Sequence, residues 1–350
     1  MIRYVRGDIL DADVDALVNT VNTVGVMGKG IALQFKRAYP ENFEAYRRAC
    51  EQGALQIGNV LTVKLSRLGK PKYIINFPTK KHWKGASKID FIEAGLSSLV
   101  DEVRRLQLKS IAIPPLGCGL GGLRWRDVRS RIEDSLQVLK DIDILVYEPT
   151  GTPAAERMKT ATRKPAMTLG RATVLSLMRR YLAAMMDESV TLLELHKLTY
   201  FMQESGADLR LKFVKGKYGP YAKNLHRVLE KMEGHYTLGY GDGTEEPGKV
   251  IQIKDNSDRL AEEYLQKHRT AHERFARVEQ LIDGFETPFA MELLGSVHWL
   301  AMHEIRPARS PSEAAELIAS WNDRKRVSFS SDHVVTAWSR LCENGWLTAK

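Results

Sequence analysis

Asn76-Phe77-Pro78-Thr79-Lys80-Lys81-His82-Trp83-Lys84 gathers three lysines around one histidine and one tryptophan at the exit of an apolar run. Crowded cations lower a lysine's pKa and leave more neutral amine. Neutral amine attacks carbonyl carbon. Trp83, with the cations beside it, suits stacking on a base and contact with backbone phosphates; a solvated basic turn has the same composition. Two glycine-rich loops complete the picture. The first, residues 23–32, holds Gly25, Gly28, Lys29, Gly30 and Ile31. The second, residues 114–123, contains Gly117-Cys118-Gly119-Leu120-Gly121-Gly122-Leu123. Each follows a buried-strand pattern and leads into a helical one. Such a turn presents unpaired N–H groups at the positive end of a helix dipole, which is a phosphate-binding geometry. Two of them in one α/β unit predict a diphosphate clasped from both sides. Neither spells a nucleotide motif: Gly25 to Lys29 lacks GxxxxGK[ST], and the GxGxxG letters of the second loop have no acidic residue closing a following strand.

Other candidates sit at strand ends. Asp8, after Gly7, has a carboxylate suited to an adenine amino group; a turn or cap aspartate would look the same. Asn19 and Asn22 offer amides suited to ribose hydroxyls, or to nearby backbone in a turn. Tyr147 suits stacking on a flat heterocycle, or a half-buried core place. The sequence has no HExxH, no GxSxG and no carboxylate pair, and its nine histidines are scattered. Neither metal nor cofactor is expected.

These residues need a scaffold that brings distant loops to one edge. Strand patterns occur at 2–5, 16–19, 58–64, 73–78, 110–114 and 142–147. Helical patterns occupy 30–37, 41–52, 88–106 and 127–140. Phe91, Ile92, Leu96, Leu99 and Val103 share one face of the third helix. Strands separated by helices predict a mixed, mostly parallel sheet between helices. In such folds ligands gather beyond the carboxyl ends of the strands. A Pro- and Gly-containing break follows, and residues 151–165 read as a linker. The remainder is mainly helical, with helices expected over 169–186, 192–204, 221–232, 257–283, 288–302, 311–322 and 332–344. A turn at 236–243 precedes a short strand at 250–253.

The 350 residues carry a net charge of +9, of which residues 1–150 contribute +6. A basic excess favours polyanionic partners, and a solvated basic surface is the plain alternative. No apolar run approaches the roughly 20 residues of a membrane span. The N-terminus enters a strand directly, so no signal peptide is expected. Cys50, Cys118 and Cys342 form neither a disulfide framework nor a Cys-x-x-Cys site. A cytoplasmic protein is expected.

Gly7-Asp8-Ile9, Val18-Asn19-Thr20-Val21-Asn22 and the two glycine loops, in this order, resemble the ligand-binding elements of the macrodomain, an ADP-ribose-binding α/β module. Residues 18–36 are more specific. They resemble the branch that contains the terminal ADP-ribose glycohydrolase and the DarG family of bacterial antitoxins. Residues 76–80 match the segment bearing that branch's catalytic lysine. The glycohydrolase relatives pair this lysine with an aspartate in the second loop. Here that stretch reads Gly119-Leu120-Gly121-Gly122-Leu123, without an acid, which leans toward the DarG type. Residues 195–203 and 215–221 resemble the helical antitoxin module of DarG and Panacea-type domains, and residues 331–347 a winged-helix-like end.

The resemblance implies a macrodomain at 1–150 for ADP-ribose binding and hydrolysis, a linker at 151–165, and a mainly helical toxin-binding domain at 166–350. It implies an antitoxin that releases ADP-ribose from thymidine in single-stranded DNA and binds the modifying toxin DarT. By that likeness Asp8 holds the adenine, with Tyr147 covering it, and Ile9 also lines the ADP-ribose. Main-chain amides of Gly28, Lys29, Gly30 and Ile31 and of Gly119, Leu120, Gly121 and Gly122 cradle the diphosphate, with Gly117, Cys118 and Leu123 also lining the ADP-ribose. Asn22 fixes the distal ribose, and Thr79 lines the site. Lys80 stands at the anomeric carbon, as an ammonium protonating the departing base or as a neutral amine forming a Schiff base. Lys81, Trp83 and Lys84 contact the flanking DNA. A non-catalytic ADP-ribose reader and a purely stoichiometric toxin blocker are the alternatives.

Overall fold

The computed structural model describes residues 1–268 and 270–347. The chain forms two compact units. The first comprises residues 1–163 together with 241–244; the second holds the rest.

In the first unit the elements run β1 (Ile2–Val5), β2 (Ala16–Asn22), α1 (Gly30–Ala38), α2 (Pro40–Glu51), β3 (Leu61–Lys64), β4 (Tyr73–Lys80), α3 (Ile89–Arg105), β5 (Ser110–Ile113), α4 (Trp125–Leu136) and β6 (Asp143–Tyr147). The six strands form one sheet in the order β1-β6-β5-β2-β4-β3. All neighbours are parallel except β3, which runs antiparallel to β4. Apolar side chains on the sheet's two faces bury separate clusters. One joins Val18, Ile75, Phe77 and Ile113 to Leu96, Leu99 and Val128 of α3 and α4. The other joins Leu17, Ile74 and Ala112 to Phe35 and Tyr39. Helices on both faces make a buried, mostly parallel sheet. Gly95 lets α3 approach it: a Cβ there would lie 2.3 Å from the Phe77 ring.

The expected elements are present, with boundaries moved: β3 starts at Leu61 rather than 58, and α4 spans Trp125–Leu136 rather than 127–140. β2 continues to Asn22 and β4 to Lys80, because each extension finds a partner in the other across the sheet. The stretch expected as a linker packs on the first unit as far as Arg163. Lys159 bonds the Leu10 carbonyl and pairs with Asp11, each at 2.8 Å, and the Ala161 N–H donates to Arg37.

The second unit contains α5 (Leu169–Met185), β7 (Val190–Thr191), α6 (Leu192–Glu204), β8 (Phe213–Gly216), β9 (Gly219–Ala222), α7 (Leu225–Met232), β10 (Thr237–Leu238) and β11 (Val250–Ile253). It continues with α8 (Ser257–Leu265), α9 (Thr270–Ile282), α10 (Pro288–Met302), α11 (Pro311–Trp321), α12 (Asp323–Ser328) and α13 (Ser331–Glu343). Its core includes Tyr200, Phe201, Leu294 and Val297. α6 is buried almost all round, which is the signature of a central helix. Two expectations are corrected. Tyr221 begins no helix; it pairs with Val214 in a β8–β9 hairpin, and α7 starts at Leu225. The helix expected over 257–283 is broken into α8 and α9 by a turn after Leu265. α13 supplies a helix at the expected winged-helix-like end, and among the described residues no strand follows it. Among those residues no helix is long and apolar enough to cross a membrane.

Candidate active site

Parallel strand order brings the segments after β1, β2, β4 and β5, and the end of β6, to one edge of the sheet. This is where an open α/β fold places its ligand.

At one end, Asp8 caps a short 3₁₀ turn: its Oδ1 accepts from the Leu10 N–H at 2.9 Å. Its Oδ2 is buried and has no hydrogen-bond partner among the described residues. Burial raises the Asp8 pKa, opposed by the Leu10 N–H. A desolvated, half-satisfied carboxylate is stabilised by one incoming donor, as an adenine amino group would be. Ile9 is buried beside it. Tyr147 is 9% exposed in the same apolar cluster; burial, then the charges of Asp8 and Asp11, raise its pKa. Its ring is chiefly core.

The first glycine loop is built from Asn22. Its Oδ1 accepts from the N–H of Val24 at 3.0 Å and from the Tyr46 hydroxyl at 3.0 Å, and its Nδ2 donates to the Val26 carbonyl at 2.6 Å. The amide expected to hold a ribose thus shapes the loop, and a ribose contact competes with these bonds. Lys29 is the N-cap of α1 and makes no side-chain cap bond, so the helix's first amides depend on other acceptors. Gly30 has φ +61°, and its N–H donates to the carbonyl of Asp242, in the same unit, at 2.7 Å. Gly28 and Ile31 flank it.

The second loop is a compact knot. The N–H groups of Cys118, Gly122 and Leu123 close turns on Pro115, Gly119 and Gly117 at 3.0, 3.0 and 3.1 Å. Of these three residues, all expected to line the ligand, Gly122 is the one expected to give its amide to the cradle; the structure uses all three amides internally because the loop reverses within seven residues. Among the described residues, the amides of Gly119, Leu120 and Gly121 donate to no backbone carbonyl. Gly121 must be glycine: a Cβ there would stand 2.1 Å from the Gly117 carbonyl oxygen and 2.4 Å from Ser87 Oγ. Burial pushes the Cys118 thiol up to about 11, which leaves it a poor nucleophile. The loops approach each other at Leu120, whose Cδ1 lies 3.4 Å from where a Gly30 Cβ would be.

Lys80 sits between them. It is the last residue of β4, paired across the sheet with Asn22 just past a bulge. Its Nζ donates to the Leu120 carbonyl. Burial lowers its pKa below the ordinary lysine value. The cation crowding read from the sequence is not the cause, because the neighbouring ammonium groups point elsewhere. Lys81 lies over Phe91 at 6.0 Å and Lys84 over Trp83 at 5.0 Å. Trp83 is 45% exposed, with its ring 5.2 Å from that of His82. Thr79 is buried, and its hydroxyl donates to the Val21 carbonyl at 3.5 Å.

Sequence reasoning missed the supports beneath this edge. Asn19, Asn76 and Asn42 form a buried amide chain: Asn19 Nδ2 donates to Asn76 Oδ1 at 3.0 Å, and Asn76 Nδ2 to Asn42 Oδ1 at 2.7 Å. Asn19 is therefore a buried strut between β2 and β4. Ser87 underlies the second loop, its N–H donating to the Gly121 carbonyl at 3.0 Å. A polar residue on a buried strand, such as Asn76, was the available signal; Ser87 carried none.

A mostly parallel sheet with a half-satisfied carboxylate, two glycine loops and a lysine gathered at one edge defines a macrodomain. Residues 18–132 match the family model described as Macro domain. A DNA ADP-ribosyl glycohydrolase of Thermus aquaticus is 44% identical over 99% of this chain and 94% of its own length. One from Mycobacterium tuberculosis is 43% identical over 97% of this chain and 99% of its own. A DNA ADP-ribosyl transferase-DNA ADP-ribosyl glycohydrolase fusion protein of Thermosipho africanus is 36% identical over 42% of each chain. The chain belongs to the DNA ADP-ribosyl glycohydrolase family.

Proposed function

We propose that the first unit releases ADP-ribose from thymidine in single-stranded DNA, and that Lys80 carries the chemistry. The observation behind this reading is the Lys80 ammonium held on the Leu120 carbonyl between the two glycine loops. Asp8 takes the adenine. Amides of Gly28 and Ile31, on either side of the Gly30 N–H held by Asp242, and of Gly119, Leu120 and Gly121 take the diphosphate, a charge-assisted use of main-chain donors. The sugar's anomeric carbon then faces Lys80. Fixing a long ligand at its far end supplies orientation at the bond that breaks.

At that bond the base departs as nitrogen takes up negative charge. An ammonium whose pKa is lowered by burial is a stronger acid, closer in pKa to neutral pH, and so a better proton donor to that nitrogen. Water then adds to the anomeric carbon. The same shift leaves more neutral amine for the Schiff-base role, and the pH dependence of the rate separates the two. Exposed Trp83, with Lys84 beside its ring, offers a stacking surface for the DNA next to the adduct, and Lys81 a nearby cation.

The second unit is the part we assign to binding and blocking a DarT-type toxin. Its support is that the glycohydrolase relatives match this chain over both units, and that a further relative is fused to a DNA ADP-ribosyl transferase. The test is a time course of the full chain on an ADP-ribosylated thymidine oligonucleotide. Free ADP-ribose and unmodified oligonucleotide are expected. Binding without product would make the protein a reader. Rescue from the toxin by the second unit, beside an inert first unit, would make it a stoichiometric blocker.

A further inference from the structure

The sequence scatters its histidines, but the second unit collects two of them with a carboxylate. Glu204 ends α6. His298 lies in α10, and His303 caps the end of that helix. One ligand atom from each lies within 4.8 Å of the others. His303 Nε2 stands 3.1 Å from Glu204 Oε2. Ligands about 2.0–2.1 Å from a tetrahedral zinc lie about 3.3 Å apart, so this pair already has the spacing of a coordination edge. The third ligand, within 4.8 Å of the others, closes with a movement of at most about 1.5 Å, small for the partly exposed Glu204 and His303 side chains.

We propose that Glu204, His298 and His303 bind a divalent transition-metal ion, Zn²⁺ by the chemistry of the set. Two imidazoles and one carboxylate form a three-ligand site that leaves the fourth position open. An ion pair accounts for Glu204 and His303, but not for a buried imidazole converging on the same point. His298 is 2% exposed. Its Nδ1 is bonded to the Tyr200 hydroxyl at 2.7 Å, which orients the ring; with that nitrogen engaged, ligation would use Nε2. Metal-bound histidines ordinarily have such a partner on the other nitrogen. Tyr200 comes from α6, one turn before Glu204, so one helix supplies both a ligand and the group that orients another. Trp299 stacks on His303 at 4.7 Å and steadies the third ligand. Arg277, which adds positive charge near His298, opposes the ion, and Glu204 offsets it. The ion would tie the end of α6 to the end of α10 in the unit assigned above to the toxin. The metal site does not depend on that assignment.

The test uses the full chain stripped with EDTA and dialysed. One equivalent of Co²⁺ should bind with the visible d–d absorption of a tetrahedral ion, Zn²⁺ should displace it, and Zn²⁺ should raise Tm. His303→Ala and Glu204→Gln alter partly exposed positions, so the variants are expected to fold. Each should weaken Zn²⁺ binding at least tenfold, on the order of the loss caused by disturbing a metal's outer shell, and abolish the Tm increase. Wild-type binding no tighter than that of either folded variant, or no stoichiometric Co²⁺ spectrum, would overturn the site. Release of ADP-ribose is expected to be the same in all three proteins, so failure here leaves the glycohydrolase reading intact.

Discussion

The side chain of Lys80, at the end of β4, donates a hydrogen bond to the main-chain carbonyl of Leu120 in the second glycine loop. This bond joins the candidate catalyst to the loop that would hold the diphosphate. Position of the amine and shape of the cradle are thereby coupled: a change in the loop is felt at the amine.

Lys80→Ala should lower release of ADP-ribose from a modified oligonucleotide by about a hundredfold or more, the scale of a lost proton donor. Binding of free ADP-ribose should stay within about threefold, because the adenine and diphosphate contacts remain. Product analysis and calorimetry check the two halves. Turnover near wild type in this variant would remove the lysine from the mechanism.

The pH dependence follows from the direction of the Lys80 shift. Burial lowers its pKa, so the ammonium is lost at a lower pH than for an exposed lysine. As the proton donor, Lys80 should give a rate that is full below this pKa and declines as pH rises through it. Single-turnover rates across pH 6–10 measure the limb. A rate that climbs over that interval, together with a borohydride-trapped adduct on the protein, would instead mark the neutral amine as nucleophile.

Gly121→Ala and Gly119→Ala should part company. The first places a Cβ 2.1 Å from the Gly117 carbonyl oxygen, whereas the second meets nothing within 4 Å. Overpacking against backbone forces the loop to move. ADP-ribose affinity should therefore fall about tenfold or more in Gly121→Ala and change little in Gly119→Ala. Equal affinities would mean that the loop's shape is not what binds.

Stability of the second unit should depend on pH through Lys197. This residue is fully buried and its Nζ donates to the Pro220 carbonyl at 2.8 Å. Burial, and then the charge of Lys325, bring its pKa down to about 7. Between that value and the roughly 10.4 of an unfolded lysine, the unfolded chain holds the extra proton. Stability therefore rises with pH across this interval. Lys197→Met should reduce the slope in urea melts at pH 7–10, leaving the share due to Lys325. An unchanged slope would show that Lys197 keeps the same charge folded and unfolded.

The local features of the first unit were legible in the chain. Strand and helix periodicities, the glycine loops and the lysine segment depend on near neighbours, and the sequence determined them together with the family likeness they carry. The β8–β9 hairpin was not legible, because Tyr221 continues a helical pattern that only pairing with Val214 overrides. The role of Asn22 was not legible either: Tyr46 and Val26 reach its amide only once α2 and the loop have folded against β2. Tertiary structure alone decided why Lys80 has a lowered pKa, since burial between two loops depends on residues 40 positions away rather than on adjacent cations. It alone brought Glu204 to His298 and His303, because side chains separated along the chain by nearly a hundred residues meet only where two helices pack.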